Sequence, residues 1–156
     1  DAETMKYYGE EGSWYPDLAA ASGELAWFRS LPAENGMRWV IARKDDDSYA
    51  GDIGFFGHDS RNRRVVLGYK LDRAYWGMGV VSAFIAMIVP WGFRERGYNR
   101  IEAYVEPGNP GSSRALLKNG FSLEGVLREY ETVRGKPVDL EVYSVLLRER
   151  DSRPAN

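Results

Sequence analysis

Apolar and polar residues alternate along three stretches in the first half of the chain. Over 37–43, Trp39 and Ile41 share one face. Over 50–56, Ile53 and Phe55 do the same, and 65–71 repeats the pattern. Period-2 alternation of this length predicts strands. The Asp45-Asp46-Asp47-Ser48 cluster and the polar run 58–64 predict the turns between them. Three strands joined by short turns form an antiparallel meander. In this reading His58 is a surface residue of the second turn.

The period then changes. Val81, Phe84, Ile85, Ile88 and Trp91 recur at helical spacing over 80–96, and Gly97 is placed to stop the helix in a left-handed cap. Pro90 lies inside this helix. It removes one backbone hydrogen bond, so either the helix kinks near Ala86 or tertiary packing holds it together. Residues 100–105 alternate again, with Ile101, Ala103 and Val105 opposite Glu102 and Tyr104. A strand, a helix and this strand make a βαβ crossover, which predicts a parallel, right-handed pair. Asn109, Pro110 and Gly120 are the N-cap, first residue and terminator of a short helix. Residues 121–133 and 138–147 are strands joined in a hairpin at Arg134-Gly135-Lys136-Pro137.

The ends are less regular. Ser22 is a plausible N-cap for a helix over 22–31, with Leu25, Phe28 and Leu31 at helical spacing and Pro32 after it. Before that helix come Tyr7, Tyr8, Trp14 and Tyr15, which could line or cover a groove. Asp1 is not a natural initiator, which leaves open whether residues precede it. The polar stretch 148–156 reads as a frayed tail. The expected organisation is a single domain over 1–147 of the α+β class, with a mixed, mostly antiparallel twisted sheet, helices flanking it and a central parallel strand pair.

Composition narrows the chemistry. The chain has 156 residues, a formal charge of −2, no cysteine and one histidine. Disulfides, thiolate chemistry, multi-histidine metal sites and most Ser-His-Asp schemes are therefore removed within one chain, and no metal is expected. The charge balance gives no global pull toward nucleic acid or acidic membranes. The longest apolar run, 83–93, is too short to span a bilayer. A cytoplasmic location is the expectation.

The stretch that carries chemistry is Tyr75-Trp76-Gly77-Met78-Gly79, between a strand end and the long helix. Glycines let backbone approach an anion, and the helix start offers unpaired N–H groups. By itself the loop fits a coenzyme A pyrophosphate, a dinucleotide or a plain turn. The meander before it argues against a dinucleotide fold, whose glycine fingerprint follows the first strand of a parallel sheet.

More residues carry a likeness. Leu67-Gly68-Tyr69, the glycine loop, Asn99-Arg100-Ile101-Glu102-Ala103, Asn109-Pro110-Gly111-Ser112, Asn119-Gly120-Phe121 and Glu124-Gly125-Val126-Leu127-Arg128 come in order over roughly 37–147. Together they resemble the GNAT superfamily of acetyl-CoA-dependent N-acetyltransferases, most closely the branch of ribosomal-protein N-terminal acetyltransferases. The chain departs from the family's usual loop at Ala74, where a Gln or Arg is common, although Arg73 is adjacent.

The resemblance implies acetyl-CoA as co-substrate, bound by the amides of Trp76, Gly77, Met78, Gly79, Val80 and Val81. It implies that Tyr69, Lys70 and Leu71 pair with the pantetheine arm like an added strand. Asn109 would contact that arm, Lys118 a phosphate, and Ser112 the leaving sulfur as proton donor. Tyr104 and Glu102 are the candidate bases, acting directly or through water. Tyr130 and Asp139 are candidate acceptor contacts. The implied partner is an amine, either a peptide N-terminus or a small amine, and a homodimer is compatible with the family. A non-catalytic acyl-CoA-binding module is the reading from another class.

Overall fold

The computed structural model describes residues 36–151, together with Ser22. Ser22 is itself helical and exposed rather than a cap. The rest of the helix expected over 22–31, the aromatic front segment and residues 152–156 lie outside the described residues.

Among the described residues, six strands form one sheet in the order β1-β2-β3-β4-β6-β5. They are β1 (Gly36–Ala42), β2 (Tyr49–Asp59), β3 (Arg64–Leu71), β4 (Arg100–Val105), β5 (Ser122–Val133) and β6 (Lys136–Leu146). The helices are α1 (Val80–Arg96), α2 (Pro110–Lys118) and α3 (Leu147–Asp151). The meander is present: β1 pairs with β2, and β2 with β3, both antiparallel. β3 and β4 are the parallel pair. Thus the mixed, mostly antiparallel α+β architecture stands as the alternation predicts.

Register sorts the side chains. Trp39 faces Ile53, Phe55 faces Leu67 and Val65 faces Ile101. These residues meet Ile85, Ile88 and Val89 of α1 in the core. Ile53, Ile85, Val89, Ile101 and Leu116 are fully buried. Such positions are worth roughly 1.5–3 kcal/mol each against exposure. Trp39 locks edge-to-face against Trp91, with centroids 5.3 Å apart. The alternate positions, among them Asp52, Lys70, Arg100, Glu102 and Tyr104, fall on the opposite face of the sheet.

α1 runs unbroken through Pro90. Ile88 and Val89 just before the proline are buried, whereas Ala86, whose carbonyl loses its partner, is exposed and open to water. The hairpin between β5 and β6 closes on Arg134 (φ 51°) and Gly135 (φ 72°), with Val133 opposite Lys136. Positive φ at both positions is the type I′ signature of tight hairpins. The aspartate cluster is a turn: Asp46 accepts from the Ser48 N–H at 3.0 Å, and Arg43 pairs with Asp45.

Two expectations change. His58 is not in a surface turn. β2 extends to Asp59, and the His58 ring is half-buried against Tyr98, centroids 5.3 Å apart. The extension exists because Asp59 still pairs with Arg64 after an irregularity in the ladder. The segment after β6 is also more ordered than a frayed tail. Glu149 caps the start of α3 by accepting from the Leu146 N–H at 2.9 Å, and Arg150 reaches the Asn119 carbonyl at 3.2 Å.

One topological detail positions the site. The β3–β4 ladder runs from Arg64↔Arg100 to Val66↔Glu102, while β3 continues to Leu71 and β4 to Val105. The two strands therefore part at their C-terminal ends. Beyond Val66 and Glu102 no ladder pair joins the two strands.

Candidate active site

The loop leaving β3 is held in three places. The Asp72 carboxylate accepts from the Ala74 N–H at 2.8 Å and so caps the single 3₁₀ turn Arg73–Tyr75. The Trp76 indole N–H donates to the Leu71 carbonyl at 2.9 Å, tying the loop to the strand end. Gly77 and Gly79 then take φ 75° and 78°, a conformation that strains any residue with a Cβ. Gly79 is the N-cap of α1 and offers no side chain to it. The first-turn amides of α1 are thus left without a side-chain acceptor, which suits an anion.

Across from this loop stands the start of α2. The Asn109 side chain accepts from the Ser112 N–H at 3.2 Å, and Pro110 is the first helical residue. Between loop and helix lies a cleft of about 540 Å³. Of the residues expected to hold a cofactor, Tyr69, Lys70, Leu71, Trp76, Gly77, Gly79, Val80, Val81, Asn109, Ser112 and Lys118 line it. Met78 does not, and its side chain is 69% exposed.

Tyr75, Ser82, Arg114 and Ala115 also line the cleft and were not foreseen. Arg114 matters most. It lies four residues before Lys118, one turn away on the same helix face, and that spacing was the available signal. Among the described residues, the lining includes the cations Arg114 and Lys118 and no acidic residue, while the Lys70 ammonium turns to the Asp52 carboxylate 3.4 Å away on the other face of the sheet. A cleft with cations along one wall and uncapped helix amides at the loop fits a group carrying several phosphates.

Toward the parting strands, the Tyr69 hydroxyl lies 3.5 Å from the Ser112 carbonyl oxygen. Burial pushes that hydroxyl up to about 12, so it stays protonated. Behind it, the Tyr143 hydroxyl donates to Glu141 Oε2 at 2.8 Å, and Ser113 Oγ approaches the same oxygen at 3.4 Å.

The other candidates are not among the cleft residues. Glu102 is 5% exposed and accepts from Arg100 Nε at 2.6 Å and from the Tyr104 hydroxyl at 2.9 Å, with Arg64 Nη1 3.7 Å away. Burial, then the bond to Glu102, pushes the Tyr104 hydroxyl up to about 12. The Glu102 carboxylate is thus already engaged by its neighbours, and Tyr104 near neutral pH is a phenol rather than a phenolate. The Tyr104 ring stacks on Tyr130 at 5.9 Å. Asp139 accepts the Glu129 N–H at 2.8 Å, where Glu129 adopts φ 51° in the irregular stretch of β5. Asp139 therefore braces a bulge in the edge strand.

The comparisons with known proteins agree with this geometry. The profile described as an acetyltransferase (GNAT) domain matches residues 1–122. The Bacillus subtilis (strain 168) protein "Uncharacterized N-acetyltransferase YoaA" is 38% identical over 145 residues, covering 92% of this chain and 81% of that one. The ribosomal-protein-serine acetyltransferase of Escherichia coli (strain K12) is 26% identical over 102 residues, covering 65% of this chain and 57% of that one. In fold, the chain is similar to the spermidine N-acetyltransferase from Vibrio cholerae in its crystal structure with CoA and spermine, with a TM-score of 0.79 at 17% identity over 96% of this chain and 85% of that one. A meander, a glycine loop opening a long helix, a parted parallel strand pair and this sequence kinship lead to one conclusion: the chain belongs to the GNAT family of acetyltransferases.

Proposed function

We propose that this acetyltransferase binds acetyl-CoA in the cleft between the Trp76–Gly79 loop and α2, and that its acceptor is the amine at a protein or peptide N-terminus. The observation that carries the cofactor reading is the cleft itself: α1's uncapped first turn at one end, Arg114 and Lys118 on the wall, and β3 beyond its ladder with β4 along the floor. Acetyl-CoA supplies an acyl group on a thiol that leaves readily. The chain's part is to orient it. The amides of Gly77 to Val81 receive the pyrophosphate, and β3 at Tyr69 to Leu71, beyond its ladder with β4, pairs with the pantetheine amides. Asn109 and Ser112 flank the other side of that arm.

For the acceptor, sequence kinship to a ribosomal-protein acetyltransferase supports the peptide reading. The small-amine reading draws on fold likeness to a spermidine acetyltransferase at far lower identity. Tyr104 and Tyr130, stacked on the sheet face away from α1, are the contact that such a peptide would meet. An assay across N-terminal peptides, polyamines and aminoglycosides separates the two. Transfer to peptides with polyamines untouched is the expected result, and the reverse pattern would replace the reading. Binding of acetyl-CoA with no transfer to any amine would favour a binding module.

Ser112 sits at α2's first turn, its N–H already bonded to Asn109, so its hydroxyl has no capping duty. Ser112→Ala is expected to lower kcat about tenfold, the scale of one lost hydrogen bond to a charged group, with the KM for acetyl-CoA changed less than about twofold. An unchanged kcat would remove Ser112 from the proton path.

A further inference from the structure

The near-neutral total charge hides an uneven distribution. Segments 58–64, 94–100 and 147–151 hold eight of the chain's sixteen arginines, against four acidic residues and no lysine. They are distant in sequence, and the fold brings them to one end of the molecule. The Arg63 carbonyl accepts from the Asn99 N–H at 2.7 Å and from the Arg100 N–H at 3.2 Å, and the Leu147 N–H donates to the Asn99 carbonyl at 3.0 Å. Arg63 Nε donates to the Gly97 carbonyl at 2.7 Å and so ties the β2–β3 turn to the C-terminus of α1. The cleft lies at the other end of that helix. Its 17 residues separate the two by about 25 Å.

Some of these cations are engaged within the fold. Arg64 pairs with Asp59 and reaches Glu102, and Arg100 is held by Glu102 and Glu124. Four others differ. Arg61, Arg63, Arg94 and Arg148 are exposed, and among the described residues none of them has a carboxylate at ion-pairing distance. Two of the acids beside them are themselves engaged. Asp59 accepts from the Asn62 N–H at 2.9 Å, from Asn62 Nδ2 at 2.7 Å and from Arg64 Nε at 3.1 Å. Glu149 accepts from the Leu146 N–H. Arg94 lies in the last turn of α1, where the helix dipole carries about half a negative charge, too little to offset four guanidiniums.

Such an end attracts polyanions, and its make-up selects among them. Among the described residues, none of the exposed large apolar side chains belongs to these three segments. A protein interface needs an apolar or aromatic core, and a membrane surface engages apolar side chains beside its cations. A phosphate backbone needs neither. Every cation here is arginine, whose planar fork takes phosphate oxygens in pairs and whose face stacks on unstacked bases. The surface is built from a turn, a helix end and a five-residue helix, with no recognition helix or ribbon to enter a duplex groove. That combination favours a flexible single strand.

We propose that this arginine-rich end binds single-stranded RNA through its phosphates. The binding goes beyond the acetyltransferase reading and uses no residue of the cleft. With the two surfaces at opposite ends of α1, RNA and acetyl-CoA are held at the same time, and the enzyme is tethered to RNA while its cleft stays open.

The test is fluorescence anisotropy of an end-labelled, mixed-sequence RNA of about 12 nucleotides, titrated with the full chain over a salt series. Wild type is expected to bind with log Kd rising against log salt at a slope of about 3, from roughly four phosphate contacts at about 0.7 each. Affinity then falls about 50-fold between roughly 50 and 200 mM salt. In the triple variant Arg61→Ser, Arg94→Ser, Arg148→Ser, the slope should drop to about 1 and affinity at the lower salt by at least about tenfold. Its thermal unfolding should match wild type, because these guanidiniums pair with no described carboxylate. Coenzyme A added to the wild-type complex should leave the RNA bound. Absence of saturable binding at the lower salt, a triple variant that binds as wild type does, or displacement of the RNA by coenzyme A overturns the proposal. Tighter binding to duplex DNA of the same length, or to phosphatidylserine vesicles, overturns it as well.

Discussion

Gly79→Val is expected to raise the KM for acetyl-CoA roughly 100-fold, equivalent to about 2.8 kcal/mol, while the protein still folds. Gly79 has φ 78° and nothing lies within 4 Å of where a Cβ would stand. The penalty is therefore conformational, not a clash. An L-residue in this region costs about 1–2 kcal/mol, and more when β-branched. The backbone escapes by rotating out of the left-handed region. That rotation re-aims the amides of α1's first turn, on which anion binding depends. Gly135→Val is the control. Its φ is 72°, also with open space around it, but it sits in the hairpin turn far along the chain from the cleft. It should cost stability and leave KM alone. Equal KM values in wild type and Gly79→Val would remove the loop from the binding site.

That contrast also bears on what the sequence could reveal. Gly79 and Gly97 bound α1 because both ends need a left-handed residue, a local requirement that a short string displays. Asn109-Pro110 and Arg134-Gly135 are legible for the same reason. Three other features depend on residues distant in sequence. Tyr98 packs against His58 across 40 positions, so nothing near His58 announces that its strand continues. Arg114 becomes a cleft residue only once α2 docks beside α1. Glu102 reads as a candidate base on its own strand beside Arg100 and Tyr104, yet only the pairing of β3 with β4 brings Arg64, 38 positions away, to within 3.7 Å of it. The proposed cofactor half of the site is built from local turns and helix starts, which short motifs display. The proposed acceptor half is built from cross-strand pairs, which a motif does not encode.

Arg100→Leu is expected to lower folding stability by about 2–4 kcal/mol, measured by urea denaturation at neutral pH. Arg100 joins three strands: its Nε donates to Glu102, Nη1 donates to Ser144 Oγ at 3.2 Å, and the guanidinium forks onto the Glu124 carboxylate. Without it, Glu102 is a carboxylate 5% exposed whose remaining cation, Arg64, is 3.7 Å away and half in solvent. An uncompensated buried charge costs more than the intact pair contributes, so the double variant Arg100→Leu with Glu102→Leu should recover much of the loss. Acid dependence gives a second readout. Arg100, by its hydrogen bond, holds Glu124 down to about 2 from an ordinary value of 4.5. A depressed folded value means that the unfolded chain takes up the proton first. The stabilisation is therefore complete above about pH 4.5 and drains away as pH falls toward 2. Glu124 is 41% exposed, so water screens the pair and this share of the total is the smaller one. In Arg100→Leu that acid-dependent slope should flatten. A variant as stable as wild type, with the slope unchanged, would show that the guanidinium is not what holds the far face of β4, β5 and β6 together beneath Tyr104 and Tyr130.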